Sequence, residues 1–105
     1  MTDGVVVIIN FQAKPGQANV AIRELTSLIE QVVAREPDCL GIHVHQDVDD
    51  ETRILLHERW TSKAAYTGPH LQTSYITAFM ERSKSFMTGP PEIRFWTLVG
   101  EFSMR

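Results

Sequence analysis

The residues most capable of chemistry in this chain of 105 residues lie at the end of a predicted strand and in the segment that follows it. The strand ends in Leu56-His57-Glu58-Arg59-Trp60, which sets a carboxylate two residues from an indole, and an imidazole follows at His70. A buried polar side chain must be hydrogen bonded, whereas one that lines a cavity is free to exchange a proton with a ligand. These residues therefore indicate either a buried cluster of hydrogen-bonded side chains or a proton-transfer site.

His70 follows Gly68-Pro69, and we expect it in the first turn of a helix from about residue 70 to residue 87. The positive end of a helix dipole disfavours protonated imidazole. A neutral imidazole can accept a proton from a phenol or hydroquinone as a general base. Tyr75, five residues later, cannot pair with His70 through i,i+4 packing but can border the same pocket. The alternative is that His70 is a surface residue at a helix start.

Asn10 is the polar exception in the apolar run from Val5 to Phe11. An amide offers both a hydrogen-bond donor and an acceptor, so it can orient a ligand oxygen. We expect Val6, Ile8 and Asn10 to face the helices, as do the even-numbered residues of the third strand. The alternative is that Asn10 only bonds a neighbouring side chain or a helix backbone group.

Glu58, Trp60 and Phe79 are the predicted substrate-contacting residues around this base. Trp60 and Phe79 supply apolar walls, although single aromatic residues at such positions also serve as plain core. Glu58 lies on the predicted inward face of its strand, where a carboxylate must be paired, hydrated in a cavity or protonated.

A competing arrangement is a metal site formed by His43, His45 and His57. A hairpin that turns at Asp49-Asp50 places His57 opposite His43, so the three imidazoles share one sheet face. Three histidines with an open fourth position form a known type of catalytic zinc site. The spacing is nevertheless common by chance, and we expect no metal and no cofactor.

The composition excludes several classes of protein. The net charge is −3 and the ten Lys and Arg residues form no basic stripe, which argues against nucleic acid and anionic membrane as partners. Cys39 is the single cysteine, so no intrachain disulfide can form. The sequence has neither a leader pattern nor an apolar run of 18 residues. We therefore expect one cytoplasmic domain that spans residues 1–105.

The order of elements predicts the architecture. Apolar periodicity indicates strands at 5–11, 40–48, 53–60 and 93–99 and helices at 17–36 and 70–87, with a short capped turn at Thr61 or Ser62. The order βαββαβ is typical of an α+β ferredoxin-like fold, a four-stranded antiparallel sheet with two helices on one face. The first strand is apolar on both faces, so we expect a second copy to cover the other face in a homodimer.

Five segments of the chain form a recognisable pattern: Ala13-Lys14-Pro15-Gly16, Glu36-Pro37-Asp38-Cys39-Leu40, Leu56-His57-Glu58-Arg59-Trp60, His70-Leu71-Gln72-Thr73 and Gly89-Pro90-Pro91-Glu92. In these segments, and so nearly from end to end, the chain resembles the antibiotic biosynthesis monooxygenase family, which includes quinol monooxygenases. The resemblance implies that each domain forms half of a dimeric α/β barrel.

The resemblance also suggests roles for individual residues. The family's polar residue on the first strand corresponds to Asn10, and its helix histidine corresponds to His70. A second helix histidine is replaced here by Tyr75, and the tyrosine before the strand glutamate is replaced by His57. Of the Asn, Trp and His of the haem-degrading relatives, Asn10 alone has a counterpart here, so haem degradation is not expected.

The resemblance implies cofactor-independent oxygenation of a quinol or polycyclic phenol by O2. In this hypothesis His70 is the base, Asn10 orients the substrate oxygen, and Tyr75 is a hydrogen-bond partner. The alternative is a non-catalytic dimeric module that binds a small aromatic ligand or a protein partner. A pocket between sheet and second helix that reaches both Asn10 and His70 favours the enzyme; a filled core, with His70 in solvent, favours the module.

Overall fold

The computed structural model describes residues 4–103 of the chain. Within that range it contains four strands, three helices and one 3₁₀ turn. In chain order these are β1 (Val5–Gln12), α1 (Ala18–Arg35), β2 (Cys39–Gln46), β3 (Arg53–Trp60), α2 (Lys63–Thr67), the 3₁₀ turn (His70–Gln72), α3 (Ser74–Ser83) and β4 (Glu92–Trp96).

The strands form one antiparallel sheet in the order β2-β3-β1-β4. This order follows from two βαβ crossovers, in which α1 connects β1 to β2 and the α2–α3 segment connects β3 to β4. The predicted ferredoxin-like fold is confirmed. The short capped turn predicted at Thr61 or Ser62 is confirmed as helix α2, whose N-cap is Ser62: its hydroxyl accepts a hydrogen bond from the Ala65 N–H.

The register of β1 against β3 decides which side chains face the helices. Val7 pairs with Glu58 and Ile9 pairs with Leu56, and all four are buried. Residues directly opposite each other in a sheet point to the same side. The odd-numbered residues of β1 therefore face the helices, together with the even-numbered residues of β3, as was predicted for β3.

The prediction that Val6, Ile8 and Asn10 face the helices is wrong. Asn10 pairs with Leu55 on β3 and with Glu92 on β4, on the sheet face that the helices leave uncovered. We call this the open face. The error has a simple cause, since β1 is apolar on both faces and its hydrophobic pattern does not distinguish one side from the other.

The predicted helix start at His70 is also wrong. Thr73 has an extended backbone with ψ of 150°, and its hydroxyl accepts a hydrogen bond from the Ile76 N–H as the N-cap of α3. The α-helix therefore begins at Ser74, and His70 lies in the preceding 3₁₀ turn. The dipole of α3 does not act on His70 as predicted, because that effect is confined to the first turn.

The core lies between the helices and the covered sheet face. From α1 it receives Ala21, Leu25, Leu28 and Val32, which lie on one face of the helix at the apolar spacing that predicted it. From α3 it receives Phe79, whose ring contacts Phe11 edge-on with ring centroids 6.5 Å apart. No helix in residues 4–103 is long and apolar enough to cross a membrane.

Replacement of Leu25 by alanine tests this assignment of the core. Leu25 is fully buried, and removal of its branched end leaves a cavity, so we expect Leu25→Ala to lower the free energy of unfolding by about 2–5 kcal/mol. Val48 is 96% exposed, and we expect Val48→Ala to change it by less than about 0.5 kcal/mol. Denaturant unfolding at one protein concentration measures both. Equal losses in the free energy of unfolding for the two variants would contradict the assignment of Leu25 to the core.

Candidate functional site

The Glu36 carboxylate joins two of the predicted site residues. His70 Nδ1 lies 3.0 Å from both carboxylate oxygens of Glu36, and the Tyr75 hydroxyl donates to Glu36 Oε2 at 2.5 Å. The imidazole is almost entirely buried, with 5% of its side chain exposed, and the Glu36 side chain is 14% exposed. We call these three residues the Glu36 triad. It joins the end of α1, the 3₁₀ turn and the first turn of α3.

Local backbone conformation explains why Glu36 is available for this role. Glu36 precedes Pro37, and the residue before a proline is disfavoured in the α region. Its backbone is extended, with φ of −115° and ψ of 98°, while its N–H still bonds the Val32 carbonyl as the last bond of the helix. The helix therefore ends at Arg35, and Glu36 lies where its carboxylate meets the 3₁₀ turn.

Two aromatic rings contact the imidazole of His70. The centroid of the Trp60 ring lies 4.5 Å from that of His70, and the centroid of the Tyr66 ring lies 4.9 Å away. Trp60 and Tyr66 also meet each other edge-on at 5.5 Å. All three residues are buried. The imidazole is therefore oriented by rings as well as by the carboxylate.

The two nitrogens of His70 have different environments. An ionised Glu36 can only accept hydrogen bonds, so Nδ1 carries the proton in this pair and the neutral ring has its lone pair on Nε2. Among the described residues no hydrogen bond reaches Nε2, whereas Nδ1 is held by Glu36. The Nε2 lone pair is therefore free to accept a proton, as a general base requires.

Glu58 lies beside this aromatic group on the covered face of the sheet. It is 4% exposed, and its Oε1 accepts a hydrogen bond of 2.8 Å from Trp60 Nε1. Burial raises the pKa of Glu58 to about 7; the Trp60 hydrogen bond opposes this and the charge of Glu36 adds to it. Near neutral pH the carboxyl is therefore present in both protonation states.

The two tyrosines of the site remain phenols at neutral pH. Burial and the hydrogen bond to Glu36 raise the pKa of Tyr75 to about 12. Burial and the charge of Glu58 raise the pKa of Tyr66 well above its usual range. Tyr75 can therefore donate to Glu36, as a hydrogen-bond partner, but neither tyrosine is poised to accept a proton.

The structure brings together four of the six predicted site residues. Trp60 directly contacts Glu58 and His70, and Tyr75 is linked to His70 through the Glu36 carboxylate. Phe79 instead packs in the core against Phe11 and Phe86, and Asn10 lies on the open face. The predicted placement of Asn10 beside His70 is therefore wrong, because alternation along β1 directs its side chain away from the helices.

Two residues of this group were not predicted, Glu36 and Tyr66. Tyr66 lies four residues before His70, a spacing that brings side chains together on helical turns. Glu36 was identifiable as a helix terminus before proline and as part of a family segment, but neither signal indicated a role in the site. Its 34-residue separation from His70 gives no local signal in the sequence.

Neither of the two depressions described for residues 4–103 is the pocket expected to reach both Asn10 and His70. Asn10 borders a depression of about 390 Å³ on the open face, together with His45, Arg53 and Glu92. A second depression of about 260 Å³ lies near Lys63 and Phe95. Neither depression includes His70. The surroundings of His70 are filled by side chains, although His70 is not in solvent.

The histidines of the open face give no support to the metal alternative. His43 and His57 are opposite each other, as predicted, with ring centroids 6.0 Å apart. Residues 4–103 contain no group of three or more His, Cys, Asp or Glu side chains placed to hold a metal ion.

Cys39 is not suited to nucleophilic attack. Burial raises the pKa of its thiol to about 11, which disfavours the thiolate that such an attack needs.

Known proteins share this fold over most of its length. The family model described as "Antibiotic biosynthesis monooxygenase" matches residues 4–82. An uncharacterized protein of Synechocystis sp. is 29% identical over 97 residues, which make up 92% of this chain. The chain spans 65% of the length of that relative.

Solved structures agree with this match. A Pseudomonas aeruginosa protein is 25% identical with a TM-score of 0.83, covering 95% of this chain and 98% of its own. A Caulobacter crescentus protein, provisionally named an antibiotic biosynthesis monooxygenase, is 23% identical with a TM-score of 0.84 and coverages of 94% and 92%. At 23% identity the Caulobacter likeness supports the fold and leaves the substrate open.

The raised pKa of Glu58 predicts a pH dependence of stability. Between its ordinary pKa of 4.5 and its folded pKa of about 7, the folded state holds the proton more tightly than the unfolded state. Stability contributed by Glu58 therefore falls as pH rises through this window, by on the order of 3 kcal/mol. We expect the variant Glu58→Gln to lack this fall when free energies of unfolding are measured at pH 5 and pH 8.

The control for this prediction is Glu24→Gln. Glu24 forms a surface salt bridge with Arg82, so its loss is expected to change stability by less than about 1 kcal/mol and to leave the pH dependence as it is in the wild type. Identical pH dependence in Glu58→Gln and wild type would contradict the assignment.

Proposed function

Because the chain belongs to the antibiotic biosynthesis monooxygenase family, we propose that it is a cofactor-independent monooxygenase that oxidises a quinol or polycyclic phenol with O2. The observation that supports this most strongly is the state of His70. One nitrogen of the imidazole is held by Glu36, and the other has no hydrogen-bond partner among the described residues. This is the arrangement of an oriented general base.

In the proposed reaction, His70 Nε2 removes the proton of a phenolic hydroxyl. The imidazolium that forms is stabilised by the Glu36 carboxylate at Nδ1, a charge-assisted hydrogen bond. Tyr75 donates to the same carboxylate and so holds it in place. The phenolate then transfers one electron to O2, and the aryloxyl radical and superoxide combine to form a carbon–oxygen bond. The protein contributes deprotonation, orientation and exclusion of water.

Substrate access requires movement of the segment between α2 and α3. His70 is only 4% exposed, so a bound aromatic ring must displace part of what covers it. The segment consists of short elements, since α2 is five residues long and the following turn contains three. Elements of this length make few backbone hydrogen bonds, so opening has mainly to release Tyr66 and His70 from Trp60. Trp60 and Tyr66 would then flank the substrate.

Replacement of His70 by asparagine tests the assignment of the base. The amide nitrogen of asparagine can replace Nδ1 in its bond to Glu36, but nothing replaces Nε2. We expect His70→Asn to lower oxygen consumption with a panel of quinols by about 100-fold or more, the usual contribution of a general base. A Clark electrode and product analysis measure it.

Gln72→Ala is the matched control, since Gln72 lies in the same 3₁₀ turn and is exposed. It is expected to consume oxygen at the wild-type rate. If His70→Asn also does so while remaining folded, His70 is not the base.

The filled surroundings of His70 favour a second candidate, a non-catalytic module that binds a small aromatic ligand or a protein partner. A histidine that is hydrogen bonded and packed between two rings is also what a structural core residue looks like. The two candidates differ in one measurement. A quinol that quenches tryptophan fluorescence on binding, yet causes no oxygen consumption above the uncatalysed rate, would support the module.

We further propose that the open face of the sheet is the contact between two copies of the chain. The face carries Ile8 and Leu55, both half-buried, and Trp96, which is 56% exposed. An exposed indole beside aliphatic side chains is typical of a surface that associates. A two-fold axis would bring two such sheets together as a dimeric barrel.

Replacement of Ile8 by aspartate tests this contact. A buried, unpaired carboxylate at the interface is costly, so we expect wild type to sediment at twice the mass of one chain and Ile8→Asp to sediment as a folded monomer. Ser27 is exposed on α1, on the opposite layer, and Ser27→Asp should remain a dimer. A monomeric wild type at micromolar concentration would contradict the proposal.

A further inference from the structure

Glu58 is a buried acid that the reaction described above does not use. Its cross-strand partners on the covered face are Val7 and Ile42, both apolar. None of the four salt bridges formed by the described residues includes Glu58. A carboxylate in such a place is costly unless it is paired or protonated. A structural role does not need an acid here, because glutamine could accept the same hydrogen bond.

The two oxygens of Glu58 have different environments. Oε1 accepts the hydrogen bond from Trp60 Nε1 at 2.8 Å. Oε2 makes no hydrogen bond to any described residue, although Glu58 is only 4% exposed. One carboxyl oxygen is therefore fixed, and the other has no partner among residues 4–103.

Glu58 and His70 contact the same indole. Trp60 donates to the carboxyl through Nε1, while its ring lies 4.5 Å from the imidazole, centroid to centroid. The titratable groups around Glu58 are Glu36 at the end of α1, Cys39 on β2, Tyr66 on α2 and His70 in the 3₁₀ turn. Neither Glu36 nor Cys39 stabilises a negative charge on Glu58.

We propose that Glu58 is a second proton-transfer residue of this site, and that it exchanges protons with the oxygenated intermediate while His70 deprotonates the substrate. The proposal rests on the proposed function and deepens it. The geometry that supports it is the free carboxyl oxygen beside the indole that also contacts the base. Two proton-transfer residues that contact the same indole can serve two different steps of one reaction.

The protons balance when Glu58 acts in the second half of the reaction. The carbon–oxygen bond formed with O2 leaves a peroxide anion, and protonated Glu58 gives its proton to the terminal oxygen. The resulting carboxylate then takes the proton from the same ring carbon as the O–O bond breaks and the carbon becomes a carbonyl. The departing hydroxide takes the proton that His70 removed from the phenol. The products are one quinone and one water, and both residues return to their starting states.

The test compares Glu58→Gln and Glu58→Asp with wild type in oxygen consumption across pH 5.5 to 9. We expect Glu58→Gln to lower kcat by about 100-fold while anaerobic quinol binding stays within about 3-fold of wild type. We expect wild-type kcat to fall as pH rises past about 7, since the proton donor is lost, and this fall to vanish in Glu58→Gln. Glu58→Asp retains an acid, so it should recover part of the rate and the alkaline fall.

Glu24→Gln, the same substitution on the surface, should match wild type in rate and pH profile. Two outcomes overturn the proposal, and they are distinguishable. If wild type consumes oxygen and Glu58→Gln does so with the same kcat and pH profile, Glu58 has no proton-transfer role although the proposed function stands. If wild type oxidises no quinol or polycyclic phenol, the proposed function and the role of Glu58 both fail.

Discussion

The structure of the candidate site depends on one carboxylate at the end of a helix. Glu36 lies where Pro37 stops α1, and it accepts hydrogen bonds from the 3₁₀ turn and from α3. These segments are far apart in the sequence and pack through few other polar contacts. A buried histidine needs a partner for its ring nitrogen, and a buried carboxylate needs donors. In the Glu36 triad the carboxylate accepts hydrogen bonds from both His70 and Tyr75, so the carboxylate, the ring nitrogen Nδ1 and the phenol each have a partner. The position of His70 therefore follows from the way α1 ends.

Much of the fold could be predicted from residue patterns, because strands and helices differ in their apolar periods. The α1 stripe, the inward face of β3 and the opposition of His43 and His57 all followed from alternation and turn position. The first strand was different. With apolar residues on both faces it has no hydrophobic signal for its orientation, and the register with β3 alone assigns Asn10 to the open face. The start of α3 was missed because the Thr73 cap competes with a helical continuation from His70.

The candidate site was harder to predict than the fold because it is assembled by long-range contacts. The Glu58–Trp60 pair is local, two residues apart on one strand, and both its members were singled out. Glu36 is linked to His70 across 34 residues and to Tyr75 across 39. Its role depends on how the helix end meets the 3₁₀ turn, which no periodicity encodes. Family membership supports the architecture, whereas the chemistry depends on these few contacts between distant segments.

The hydrogen bond between Trp60 and Glu58 also gives the protein an internal optical reporter. The two indoles of the chain differ sharply in environment, since Trp60 is 1% exposed and Trp96 is 56% exposed. A buried indole emits at shorter wavelength than a hydrated one, so the two signals can be separated. Trp60 donates to a titrating carboxyl and lies against the imidazole. Its emission therefore senses the charge of Glu58 and the arrival of an aromatic ligand, without any attached label.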